Sequence, residues 1–177
     1  MYQKFLLILF SIGFILSAQS QESGNNGFLV RIGDEAPHFT AKLTDGKIFN
    51  LKEQRGKIVM LQFTASWCGV CRREMPYIEK DIVQKLKGKK IYVVGIDRDE
   101  PLDVILDYQK QMKISYPLAL DPQANIFGLY ADLLSGVTRN VVIDENGKII
   151  YLSRLFDIDE FNEMAKVIYK AVERLQE

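Results

Sequence analysis

The segment Ile58-Val59-Met60-Leu61-Gln62-Phe63-Thr64-Ala65-Ser66-Trp67-Cys68-Gly69-Val70-Cys71-Arg72-Arg73-Glu74-Met75-Pro76 decides the architecture of this chain. Ile58 to Thr64 is apolar on both parities, the pattern of a central strand covered on both faces. After Cys68 the apolar residues Met75, Ile78, Ile82 and Leu86 recur at helical spacing, and Gly88 supplies a stop. The cysteine pair therefore sits where a buried strand hands over to an amphipathic helix. A thiol at a helix N-terminus faces unpaired backbone N–H groups and the positive end of the helix dipole, and both favour the thiolate. Such a cysteine falls from a pKa of about 8.5 into the range of about 3.5 to 7.5. Arg72 and Arg73 add positive charge nearby. Cys68 is thus predicted to be the nucleophile and to titrate below a free thiol, with Cys71, one turn deeper, resolving the mixed disulfide.

Working outward, Phe39 to Leu43 and Lys47 to Leu51 read as two short strands around the turn Thr44-Asp45-Gly46. Ile91 to Ile96 is a second buried strand. Asp99-Glu100-Pro101 reads as the start of a helix carrying Leu102, Ile105, Leu106 and Met112. Tyr116 to Leu120 is a short strand, and Asp121-Pro122 opens a brief helix through Tyr130. Asn140 to Asp144 and Lys148 to Leu152, joined by Glu145-Asn146-Gly147, form a hairpin. The last helix aligns Ile158, Phe161, Ala165, Ile168, Val172 and Leu175 on one face. Strands alternating with helices, closed by a hairpin and a helix, predict an α/β fold with helices on both faces of a mixed sheet.

The 177 residues suffice for one domain and are too few for two well-cored ones. Lys plus Arg and Asp plus Glu number 23 each, which leaves no basic footprint for nucleic acid. Residues 1–20 read as a signal peptide: Lys4 precedes the apolar run Phe5 to Leu16, and Ala18-Gln19-Ser20 puts small residues before a cleavage site at Gln21. The run falls short of the about 20 apolar residues of a spanning helix, so an uncleaved anchor is the weaker alternative. Residues 21–27 read as a flexible linker and 28–177 as the folded domain. The expected location is the periplasm or another extracytoplasmic space, with no membrane-integral part after cleavage.

Only two cysteines are present, both in one motif. An exported protein stapled by disulfides would carry several spaced pairs, and so tight a loop restrains little of the unfolded chain, so the pair reads as chemical. Half of a zinc site would need two further Cys or His ligands. His38, the sole histidine, cannot supply them and reads as a surface residue. Neither a metal nor a cofactor is called for.

Beyond this local reading, the chain resembles the TlpA/ResA type of exported thioredoxin-like proteins, with features in common with the peroxiredoxin-like redoxins. The resemblance runs through Gly33-Asp34-Glu35-Ala36-Pro37-His38-Phe39, Asp45-Gly46-Lys47, Gly56-Lys57-Ile58-Val59, Ala65 to Pro76, Val93-Val94-Gly95-Ile96-Asp97, Leu120-Asp121-Pro122 and Val142 to Ile149. It implies a thioredoxin-like α/β/α sandwich with a central mixed sheet and an N-terminal β-hairpin extension. It also implies a reductant of protein disulfides, such as one serving cytochrome maturation or protein repair, fed by a membrane or exported electron donor. Glu74 matches a glutamate that these proteins carry one turn after the second cysteine. Helix geometry independently puts it on the Cys71 face, where it can take that thiol's proton; a solvated helix glutamate is the other reading. Gln62 stands where thioredoxins have a buried aspartate and cannot act as a base.

Thr138 occupies the place of the usual cis-proline, in Gly136-Val137-Thr138-Arg139-Asn140. A cis bond before Thr costs about 2.5–4 kcal/mol, so a trans or strained turn is expected there. The resemblance implies that Trp67, Val137, Thr138 and Arg139 form the substrate-binding surface, with Thr138 and Arg139 beside the cysteines. Thr followed by Arg also resembles peroxiredoxins and makes a thiol peroxidase the alternative enzyme. Against that stands Ala65, where a peroxidatic site has Thr. A non-catalytic binding module is the third reading, and a reactive dithiol is superfluous to it.

Overall fold

The structure, a computed structural model, describes residues 26–176; the predicted signal peptide and most of the linker lie outside the described residues. The elements are β1 (Thr40–Lys42), β2 (Ile48–Asn50), β3 (Ile58–Thr64), α1 (Gly69–Tyr77), β4 (Ile91–Arg98), α2 (Leu102–Met112), β5 (Leu118–Asp121), α3 (Phe127–Tyr130), β6 (Arg139–Ile143), β7 (Ile149–Arg154) and α4 (Ile158–Arg174). Five strands form the central sheet in the order β5-β4-β3-β6-β7. β3, β4 and β5 are parallel, while β6 and β7 run antiparallel to their neighbours. This is the mixed sheet of a thioredoxin-like α/β/α sandwich.

β3 lies at the centre because all seven of its residues are buried. Its alternate side chains feed two cores. Val59, Leu61 and Phe63 pack with Phe28, Phe39, Phe49, Phe127 and Tyr130, whereas Ile58 and Met60 pack with Met75, Ile78, Ile82, Ile105, Phe161 and Ile168. Each such side chain contributes about 1.5–3 kcal/mol by leaving water. β1 and β2 form a separate antiparallel hairpin. It leans on the β5 edge through a bridge between Leu43 and Ala119 and a Thr44 N–H to Leu118 carbonyl bond of 2.9 Å.

Three expectations are corrected. The helix after Cys68 does not run evenly to Leu86, because α1 ends at Tyr77 and Ile78–Gln84 continues as a wider π-type segment. Pro76 lies inside α1 and cannot donate to the preceding turn, which accounts for the change of pitch just beyond it. The helix expected to start from Asp99-Glu100-Pro101 begins only at Leu102, with Asp99 at φ +66° and Pro101 as the N-cap of α2. Ile158 is exposed, being the first residue of α4, whose inward face begins with Phe161. The strand ends otherwise differ from expectation by one or two residues.

Candidate active site

Cys68 is the N-cap of α1, and its Sγ accepts the Cys71 N–H at 3.2 Å. The turn before it is closed by the Cys68 N–H on the Ala65 carbonyl at 3.0 Å. Cys68 and Cys71 are joined as a disulfide with Cα atoms 5.3 Å apart. The two are not equally accessible, since Cys68 keeps 7% of its surface and Cys71 none.

The Thr138 hydroxyl lies 3.2 Å from the Cys68 sulfur and 3.3 Å from that of Cys71. No described peptide bond is cis, so the chain reaches Thr138 through a trans bond. Val137 is buried, whereas Trp67 is 65% exposed next to Cys68.

Arg139, expected at the surface beside the sulfurs, is fully buried. It pairs in register with Phe63 and so points to the face covered by the N-terminal segment. There its guanidinium stacks 4.6 Å from the Phe28 ring centre and donates to the Asn26 carbonyl at 2.8 Å. Burial, followed by the charge of Arg154, lowers its pKa to about 10. Arg139 thus fastens the start of the domain to the sheet, its guanidinium meeting Phe28 and Asn26.

Glu74 is not a solvated helix residue. It is buried on α1 one turn beyond Cys71, accepting from Asn140 Nδ2 at 2.6 Å and from Gln62 Nε2 at 3.2 Å. Gln62 is oriented by the Tyr116 hydroxyl, which donates to its Oε1 at 2.7 Å. Burial raises the Glu74 pKa to about 7, against the pull of the two amide donors. Gln62, unable to act as a base itself, thus orients the carboxyl of its neighbour.

The arginines after the motif also have defined partners. Arg72 donates from Nε to the Ser66 carbonyl at 2.7 Å and lies 4.9 Å from the centre of the Tyr108 ring. Arg73 reaches back to the Gly69 carbonyl at 3.5 Å. His38 lies at the surface, as expected, with its Nε2 3.3 Å from a Glu35 carboxylate oxygen. Among the described residues no group of His, Cys, Asp and Glu is arranged to hold a metal.

Sequence reasoning missed Glu100, whose carboxylate grips Ser66 at its N–H and hydroxyl, 2.5 Å each. It also missed Asp97, fully buried at the end of β4. A charged residue closing an otherwise apolar strand was the available signal for the latter.

A disulfide spanning four residues at the tip of a helix, with one cysteine keeping a sliver of surface, the other none, and a hydroxyl over both sulfurs, is built for exchange with another thiol or disulfide. On this fold it defines a thiol–disulfide oxidoreductase. The chain matches the redoxin family model over residues 31–168 and belongs to that family. It is 33% identical over 121 residues to the thiol–disulfide oxidoreductase ResA of Bacillus cereus, covering 68% of each chain. A protein of Bacteroides thetaiotaomicron, solved in solution and proposed to be a protein disulfide isomerase, is 53% identical with a TM-score of 0.81, over 83% of this chain and 93% of that one. A Chlorobium tepidum protein proposed to be the thiol:disulfide interchange protein DsbE is 27% identical with a TM-score of 0.70, over 81% and 99%.

Proposed function

We propose that the protein is exported and reduces disulfides of other extracytoplasmic proteins, with Cys68 attacking and Cys71 resolving. The observation that carries the assignment of roles is the difference in access: Cys68, at the N-cap of α1, keeps 7% of its surface while Cys71 keeps none, so an incoming sulfur meets Cys68 first. In the first step the Cys68 thiolate displaces one substrate sulfur as a thiolate and forms a mixed disulfide. In the second, Cys71 attacks Cys68, restoring the internal disulfide and releasing the other substrate thiol. Two electrons pass to the substrate, and an exported or membrane-bound dithiol must return them.

Glu74 takes the Cys71 proton in the second step. Its carboxyl lies one turn away, and a pKa of about 7 lets it exchange protons near neutrality. Cys68 is held as thiolate by the α1 N–H groups and the Thr138 hydroxyl. Substrate docks on the surface marked by Trp67 and by Leu134, which is 97% exposed in the segment leading to Val137 and Thr138. Residues 1–20, as a signal peptide, bring the domain to the periplasm. No helix among the described residues is long and apolar enough to cross a membrane.

The test is to compare the reduced protein on a disulfide-bonded protein substrate and on hydrogen peroxide, and to sequence the N-terminus of the protein recovered from its own cells. Stoichiometric reduction of the protein disulfide, lost in Cys68→Ala, is expected, with maturation at Gln21. Faster turnover of peroxide than of the protein disulfide would replace this reading with a peroxidase.

A further inference from the structure

Asp97 is the residue before the last of β4, in register with Thr64 of β3. It is fully buried, and neither carboxyl oxygen receives an N–H or O–H from any described residue. A carboxylate in that condition would carry a desolvated charge with nothing to offset it. Its neighbours make ionisation harder still. Asp97 is paired with Thr64, and Glu100 is bonded to Ser66 two residues on, which brings the two carboxyls to the same strand end. The charges of Glu100 and then Asp99 oppose a charge on Asp97. From α2 it is faced by Tyr108, whose hydroxyl is 2.9 Å from that of Thr64. The cations nearby in the chain are engaged elsewhere. Arg72 holds the Ser66 carbonyl and the Tyr108 ring, and Arg98 holds Asp99 and the Leu133 carbonyl. Burial, then Glu100, hold the Asp97 proton on up to about pH 8.

What that proton does follows from Glu100. Both Glu100 oxygens already accept from Ser66, two residues before Cys68. The Ser66 carbonyl in turn takes Arg72 of α1. Ser66 is therefore held at its N–H and hydroxyl by Glu100 and at its carbonyl by Arg72, and the Ala65–Cys68 turn that aims the attacking sulfur is built on it. We propose that Asp97 keeps its proton, donates it to the Glu100 carboxylate, and so acts with Glu100 as a pair of positioning residues for Cys68 through Ser66. Loss of the proton places two negative charges side by side in a closed space and pushes Glu100 off Ser66. The inference rests on Cys68 being the attacking thiol.

The reduced protein is mixed with dithiodipyridine, a small uncharged disulfide, and the rate of the first exchange is followed from about pH 5 to about pH 10. Cys68 ionisation alone only raises this rate with pH. The wild type should climb and then fall by about threefold or more with a midpoint near pH 8, as the charge-assisted hold on Ser66 is lost. In Asp97→Asn the amide still donates to Glu100 but cannot ionise, so the fall should vanish while the rate near pH 6.5 stays within about twofold. Glu100→Gln should be slower by about threefold or more at every pH and show no fall. A fall that persists in Asp97→Asn, a wild-type rate that never declines, or an unchanged Glu100→Gln overturns the proposal. Should Asp97→Asn not fold, carboxyl-carbon NMR of the wild type decides. Asp97 and the Ser66 amide should shift together near pH 8, and an Asp97 titration near pH 4 overturns it. Failure of Cys68 to react at any pH is a separate outcome, which removes its attacking role and this positioning role with it.

Discussion

Glu74→Gln separates the titration of the buried carboxyl from its shape. The wild-type group has its pKa raised from 4.5 to about 7, chiefly by burial, with donors Asn140 and Gln62 opposing and the charge of Glu160 adding a little. A carboxyl whose folded pKa lies above its unfolded value binds its proton more tightly when folded. Its contribution to stability is therefore complete below about pH 4.5 and is lost as pH rises through about 7. At about 1.4 kcal/mol per unit, the loss amounts to about 3 kcal/mol once the pH passes 8. The substituted amide fills the same space without titrating, and the rest of the protein cancels in the difference between the two proteins. Urea unfolding of the oxidised forms between about pH 4.5 and pH 8.5 should show the wild type losing about 3 kcal/mol relative to Glu74→Gln over that span. A flat difference, or a wild type that gains on the variant as pH rises, would refute the account of a buried and reluctantly ionised Glu74.

Thr138→Ala removes the hydroxyl that touches both sulfurs; the alkylation midpoint of Cys68, expected below that of free cysteine in the wild type, should rise by about half a unit to one unit. No change in midpoint would show that the helix terminus alone holds the thiolate. Gly95→Ala places a Cβ against the buried Leu118 side chain of β5, so thermal or urea unfolding should show a loss of about 1–3 kcal/mol while activity per folded molecule is kept. Unaltered stability would mean that β4 and β5 separate more readily than this packing implies.

The sheet was legible because β3 is apolar on both parities, and because Glu145-Asn146-Gly147 and Asp45-Gly46 mark their hairpin turns. The cysteine pair was legible from its place between strand and helix. What escaped were contacts between residues far apart in sequence. Glu100 looks like the first turn of a helix, but its carboxylate is drawn to Ser66, 34 residues earlier. Arg139 looks like a partner for the sulfurs because it follows Thr138, yet strand alternation turns successive side chains to opposite faces. That alternation sends Arg139 to Phe28 and Asn26. Glu74 could be placed on the Cys71 face from helix spacing, but its burial depends on Gln62 of β3 and Asn140 of β6. No local pattern encodes that meeting.

The division of labour between the two cysteines is tested most directly by trapping. Cys71→Ala, expressed with its leader in its own cell, keeps the accessible Cys68 and loses the thiol that resolves the mixed disulfide. It should accumulate covalent adducts with exported proteins that a reducing agent dissolves, while Cys68→Ala and the double variant accumulate none. Adducts forming on Cys68→Ala instead, or equally on both single variants, would contradict the assignment of attack to Cys68.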